Sequence, residues 1–282
     1  MSSLKSWITA GRLFAVPWIV TNTLLGSFLA GFSIEAYFIA FAITTSVLLS
    51  AHYANVWRDY VLGFDRLNGS KAKPYTSASQ LIPKGLFTVK EAKMATIGWY
   101  LIALALFLLF APKRIDTIAI FAVASFFALT YSDIWKIHGL GEIPLFVCHG
   151  FGAVTFAYSI VKPVGLDGIA AGVLMGMFAG FVYTIDQWQD VQTDFAKRIK
   201  DMAYIIAKAN FRISLFAYFA ITTIVCLHVL FVMLGILPLW TLKAIALLPL
   251  FHLGGVFLEY QFPKGVIMFL IGMWMYPILM AI

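Results

Sequence analysis

Two short polar runs hold the residues of this chain that could do chemistry. The first is Asn55-Val-Trp-Arg58-Asp59-Tyr-Val-Leu-Gly63-Phe-Asp65, and the second is Asp186-Gln-Trp-Gln-Asp190-Val-Gln-Thr-Asp194. Residues four apart on a helix lie about one turn apart on one face. Asn55 with Asp59, and Asp186 with Asp190 and Asp194, are therefore rows of oxygen ligands. Magnesium takes hard oxygens, usually one or two carboxylates completed by substrate phosphate. Two such rows facing each other suit two magnesium ions bridged by a diphosphate. Without cations, three aspartates along one face would repel. Carboxylates beside hydrocarbon are costly and are read first as functional.

The elements that must position these runs are apolar helices. Of 282 residues, 62% are hydrophobic and only 12% charged, which defines a polytopic, all-α membrane protein rather than a soluble one. Turn signals and charge breaks predict nine spans, 12–32, 35–62, 88–111, 115–132, 142–161, 166–193, 210–236, 239–258 and 263–281, around a central cavity in a single domain over 1–282. The polar runs end spans two and six. Cys148 and Cys226 fall inside apolar stretches and read as buried small hydrophobes, not a disulfide. The N-terminus carries Lys5 and Arg12 before the apolar run of the first span, without a cleavage signature, so that span is expected to be retained.

Nine spans put the termini on opposite sides. Of the 20 Lys and Arg, only Lys113, Arg114, Lys162 and Lys243 fall away from the N-terminal side. The excess of basic residues places the N-terminus and both acidic runs in the cytoplasm, in a cell membrane whose anionic headgroups many of these cations meet. No nucleic-acid partner is expected, because the basic residues are confined to loops. A weak parallel repeat pairs helices 1–4 with 5–8: with Asn55 set against Asp186, Trp57 meets Trp188 and Asp59 meets Asp190. The chemistry implied is ionisation of an allylic diphosphate, followed by attack of an electron-rich acceptor on the carbocation. Such a cation needs a dry pocket with aromatic faces, and Tyr131, ending the fourth span, is well placed to line one.

These residues resemble the UbiA superfamily of intramembrane prenyltransferases. Asn55/Asp59 and Asp186/Asp190/Asp194 look like its two motifs. Trp7, Arg12, Thr21 and Leu25-Gly26-Ser27 resemble its first helix, Ile82-Pro83-Lys84-Gly85 its loop into helix three, and Tyr131-Ser132, Lys136 and Gly139-Leu140-Gly141-Glu142 its loop between helices four and five. The form of the first motif, with Gly63 and Asp65, looks like the menaquinone branch, whose members prenylate 1,4-dihydroxy-2-naphthoate. The chain departs from the common pattern at Val56, Gln80, Arg198 and Asp201, and has Asp186 where many menaquinone-type chains have Asn.

The resemblance implies roles by position. Asn55, Asp59, Asp186 and Asp190 would be catalytic and hold magnesium and diphosphate, with Asp65 and Asp194 acting through water. Arg58, Lys136 and Lys73 would face the diphosphate. Tyr131 and Ser132 would line the reacting carbon, and Arg12 would border the acceptor end. The expected partners are an isoprenyl diphosphate such as geranylgeranyl diphosphate, a lipophilic acceptor and the bilayer. A digeranylgeranylglyceryl phosphate synthase-type reaction keeps the fold and changes the acceptor; 4-hydroxybenzoate or homogentisate ranks behind it. Gly139 and Gly141 read as turn formers. A cation transporter is the reading from another class. It would want polar groups at the bilayer midplane, where this chain has few.

Overall fold

The computed structural model describes residues 2–64, 77–188, 191 and 200–282. Eleven helices are found among them, and no strand: α1 Leu4–Ala10, α2 Leu13–Leu29, α3 Ile34–Val61, α4 Val89–Phe110, α5 Ile115–Leu129, α6 Glu142–Val161, α7 Leu166–Gln187, α8 Met202–Lys208, α9 Ile213–Met233, α10 Leu239–Tyr260 and α11 Phe262–Ala281. Seven of these (α3, α4, α6, α7, α9, α10 and α11) are long and apolar enough to cross a membrane. Two bent pairs, α1 with α2 (47°) and α5 with Tyr131–His138 (61°), raise the spans among the described residues to as many as nine when each pair is counted as one span. Seven of the nine expected spans are thus single helices, and the first and fourth are bent pairs.

Local sequence sets the ends. Ser33 caps α3 by accepting from the Ala36 N–H, and Thr88 and Glu91 form a reciprocal capping box on α4. Gly63, at φ +83, turns the chain off α3 one turn beyond Asp59. The first span differs from the expected unbroken 12–32. Arg12 is left-handed at φ 48, so the helix breaks at Gly11–Arg12 and restarts at Leu13. The break frees the Gly11 carbonyl, and His52 Nδ1 donates to it at 2.8 Å. A short helix, α8, lies where the sequence reading had only a loop; Asp201 caps it by accepting from Tyr204 N.

Two helices pack backbone to backbone. Gly168, Gly172, Gly176 and Gly180 form a four-residue ladder along α7. Added Cβ atoms would meet the Tyr158 ring, Thr155 with Phe151, and Phe146 at the first three, all on α6. From the other side, a Cβ at Gly150 would collide with the Met175–Gly176 backbone. Small residues four apart let membrane helices approach this closely. Gly26 of α2 likewise abuts the Val154 carbonyl of α6. Thus α6 is clamped from two sides, and its stretch Leu145–Gly152 winds as a π-helix. The outer helices are α4 and α9, whose spans are only 17% and 22% buried. Their apolar side chains, such as Met94, Leu101, Phe219 and Leu230, point outward, as lipid contact requires. Cys226 lies on the exposed side of α9, not in the interior as expected; Cys148 is half-buried, and both thiols are free. The sequence treats lipid-facing and buried apolar positions alike, so composition could not separate them.

Candidate active site

The end of α3 carries the first oxygen row. Asn55 and Asp59 are both buried. Opposite them, α5 stops at Leu129 and the chain enters a π-turn, Tyr131–Trp135, followed by a tight turn over Lys136–His138. The bend sets Ser132 and Lys136 against α3 in matching register. Ser132 Oγ donates to Asn55 Oδ1 at 3.1 Å, and Lys136 Nζ donates to Asp59 Oδ2 at 2.6 Å. Lys136 also stands over the Phe64 ring at 4.9 Å. Asp59 Oδ1 is buried without a hydrogen-bond partner among the described residues. A desolvated, unpaired carboxylate oxygen is costly, and a cation is the ligand that relieves it.

Tyr131 donates its hydroxyl to Tyr183 of α7 at 2.8 Å. Tyr183 lies three residues before Asp186, on the same helix face, so this contact ties the end of α7 to the turn that packs against Asn55 and Asp59. The sequence reading missed Tyr183; its spacing from Asp186 was the available signal. Asp186 is half-buried at the end of α7. Asp65, Lys73, Asp190 and Asp194 lie outside the described residues. Among the described residues no group of three or more His, Cys, Asp or Glu converges for a metal. The donors placed here are Asn55, Asp59 and Asp186, a hard-oxygen set that fits magnesium. Arg58 pairs with Asp133, Nε to Oδ2 at 3.0 Å, and lies over Trp57. It is held beside the carboxylate row rather than in it.

Gly139 is left-handed at φ 71, and a Cβ there would meet the Lys200 and Asp201 backbone at 2.5–2.9 Å. Glu142 Oε1 accepts from Met202 N at 3.1 Å. The turn after Lys136 is thereby stitched to the start of α8, which closes this end of the bundle.

Asn55, Arg12, His52, Tyr131, His149 and Tyr183 share one cavity with an apolar wall. It holds about 830 Å³ of space with its mouth included. Its wall runs inward along α3 through Ala51, Leu48 and Val47 to Ile43, along α5 through Ala128 and Ala124 to Phe121, and along α6 through Cys148 and Gly152 to Phe156. Arg12 Nε is buried and has no hydrogen-bond partner among the described residues. His52 and His149 stand edge to face, 6.0 Å between ring centroids. The cavity has a polar end, with Arg12, His52, Asn55, Tyr131, His149 and Tyr183, on a long apolar trunk. The Asp59–Lys136 pair lies one helical turn beyond Asn55, outside the lining itself. A polar end of this kind on an apolar trunk has the shape and chemistry to take an amphiphile.

Comparison with known proteins agrees. The UbiA prenyltransferase family matches residues 19–264, and the chain belongs to that family of integral-membrane prenyltransferases. Two curated relatives are named 1,4-dihydroxy-2-naphthoate octaprenyltransferase. The one from Mycobacterium tuberculosis is 25% identical over 206 residues, 69% of this chain and 67% of the relative. The one from Mycobacterium leprae is 24% identical over 226 residues, 75% and 73%. Among solved structures, a digeranylgeranylglyceryl phosphate synthase superposes with a TM-score of 0.66 at 19% identity, covering 99% of this chain and 97% of that one. A UbiA homolog from Archaeoglobus fulgidus bound to DMAPP and Mg2+ gives 0.65 at 15%, covering 98% and 99%. These structures share the fold.

Proposed function

We propose that this protein transfers an isoprenyl group from an allylic isoprenyl diphosphate to a dihydroxynaphthoate-like quinone precursor, with magnesium, on the cytoplasmic face of a cell membrane. The observation that carries the reading is the single cavity in which Asn55 and Tyr131 head an apolar trunk. Asn55, Asp59, Asp186 and Asp190 would hold magnesium, probed as a pair of ions, and magnesium supplies charge neutralisation for the departing diphosphate. The chain's own groups do the rest. Lys136 donates charge-assisted hydrogen bonds to the leaving oxygens. Tyr131 and Tyr183 present ring faces and a shared hydroxyl pair where the allylic cation forms. The apolar wall excludes water, so the acceptor captures the cation. Arg12 lines the cavity as a cation suited to the acceptor's carboxylate. Asp65, Asp194 and Lys73 are proposed to complete the head.

The naphthoate acceptor is supported by the two mycobacterial relatives and by Gly63 in the first motif. The cavity ends in packed phenylalanines, which leaves an ion-pathway reading without support. The test is prenyl transfer by purified protein with magnesium and geranylgeranyl diphosphate, offering dihydroxynaphthoate and geranylgeranylglyceryl phosphate side by side. Transfer to the naphthoate, abolished by EDTA and restored by magnesium, is expected. Transfer to the phosphate acceptor alone would replace the acceptor assigned here. Turnover indifferent to chelation would overturn the metal role.

A further inference from the structure

The apolar trunk has a floor. Phe121 and Phe156 line its inner end, and both are buried. Phe107 stacks behind Phe121 at 4.2 Å between centroids, with Phe156 6.2 Å from Phe121. Beyond them the space between α3, α4, α5 and α6 is filled by Ala40, Ala157 and Ile160. The trunk therefore ends inside a packed core.

Its depth follows from helix geometry, measured along different walls. From Asn55 to Ile43 on α3 is twelve residues, about 18 Å at 1.5 Å per residue. From Leu129, where α5 ends, to Phe121 is eight residues, about 12 Å on the same rise. An extended chain advances about 3.4 Å per three backbone bonds, so a four-bond isoprene unit advances about 4.5 Å. The trunk thus takes three to four isoprene units between the polar head and the phenylalanine floor.

We infer that Phe121 and Phe156 set the length of the donor chain, with a fifteen- to twenty-carbon isoprenyl diphosphate filling the trunk and a forty-carbon one exceeding it. The inference rests on the prenyl-diphosphate reading and assigns its donor class. One isoprene unit added to a filled trunk has to displace packed side chains or leave the cavity. A single methylene already discriminates by about tenfold or more in a fitted apolar pocket.

The position that shortens the trunk is Ala124, which lines it five residues before α5 ends at Leu129. That is about 8 Å, close to two isoprene units, from the head end of α5. The experiment measures kcat/KM for geranyl, farnesyl, geranylgeranyl and octaprenyl diphosphates with dihydroxynaphthoate, on wild type, Phe121→Ala, Phe156→Ala and Ala124→Phe. The wild type is expected to favour geranylgeranyl over octaprenyl diphosphate by at least about tenfold. Ala124→Phe should move the optimum to geranyl diphosphate by a similar factor, and each Phe→Ala change should raise octaprenyl use relative to geranylgeranyl. Should the Phe→Ala variants fail to fold, Ala124→Phe, which fills existing space, carries the test alone. Equal use of the twenty- and forty-carbon donors by the wild type, or an unmoved optimum in Ala124→Phe, overturns the inference and leaves the donor reading standing. No transfer from any donor overturns both.

Discussion

Asp59→Asn separates the structural from the chemical role of the buried carboxylate. In the wild type, Asp59 is 5% exposed. Its Oδ2 takes Lys136 Nζ at 2.6 Å, and its Oδ1 has no hydrogen-bond partner among the described residues. Asparagine keeps the shape and one acceptor for Lys136 but removes the charge. Breaking a fully buried pair from one side costs about 3–5 kcal/mol. Here the Lys136 side chain keeps 21% exposure and can reach water, so about 1–3 kcal/mol is expected. Loss of one preorganised electrostatic group costs about 10²–10³ in kcat, and loss of a metal ligand adds to it, so turnover should fall by at least about 10³. The double variant Asp59→Asn/Lys136→Met removes the stranded ammonium. It should regain stability to within about 1 kcal/mol of wild type without regaining turnover. The assay pairs initial rates of prenyl transfer with thermal melting in detergent. A single variant within about tenfold of wild type, or a double variant whose activity returns with its stability, would refute the metal-ligand assignment.

Gly26→Leu should prevent α2 from seating on α6, because even a Cβ there collides with the Val154 carbonyl. Overpacking at such a contact costs about 1–3 kcal/mol or more, read as a lowered melting temperature; an unchanged melt would mean the two helices do not meet there. Orientation is tested with an impermeant maleimide, with wild type as the background for the native thiols. A Lys84→Cys variant should label only from the cytoplasmic side and Leu234→Cys only from the opposite side, and the reverse pattern would invert the proposed topology.

Much of the head of the site was legible in sequence, because ligand spacing survives translation into a helix. Asn55, Asp59, Tyr131, Ser132, Lys136 and Arg12 do come together at one end of the bundle. What spacing could not supply was register. Ser132 and Lys136 match Asn55 and Asp59 only because the chain bends 61° into a π-turn after Leu129. Arg58, expected to face the diphosphate, adjoins Asp59 in sequence but is rotated about 100° around the helix, and there it pairs with Asp133. The break at Arg12 was hidden because a left-handed residue other than glycine leaves no compositional mark. The glycine ladder of α7 was fully visible as a four-residue repeat and went unread beside the aspartates.

That ladder gives the enzyme a remote adjusting screw. One face of α6 rests on α7 through glycine, while its other face carries Cys148, His149, Gly152 and Phe156 into the cavity. The glycines of α7 face the Tyr158, Phe151 and Phe146 rings of α6 directly, and Gly150 of α6 faces the Met175–Gly176 backbone, so little room is left between the helices. A methyl group added at Gly172 would meet Thr155 Cγ2 at 3.0 Å and the Phe151 carbonyl at 3.2 Å, so α6 would have to yield by a few tenths of an ångström toward the cavity. Selectivity can therefore drift through substitutions on a helix face that no substrate touches. Relatives sharing this fold at low identity need not have altered a single cavity residue to have changed what the cavity holds.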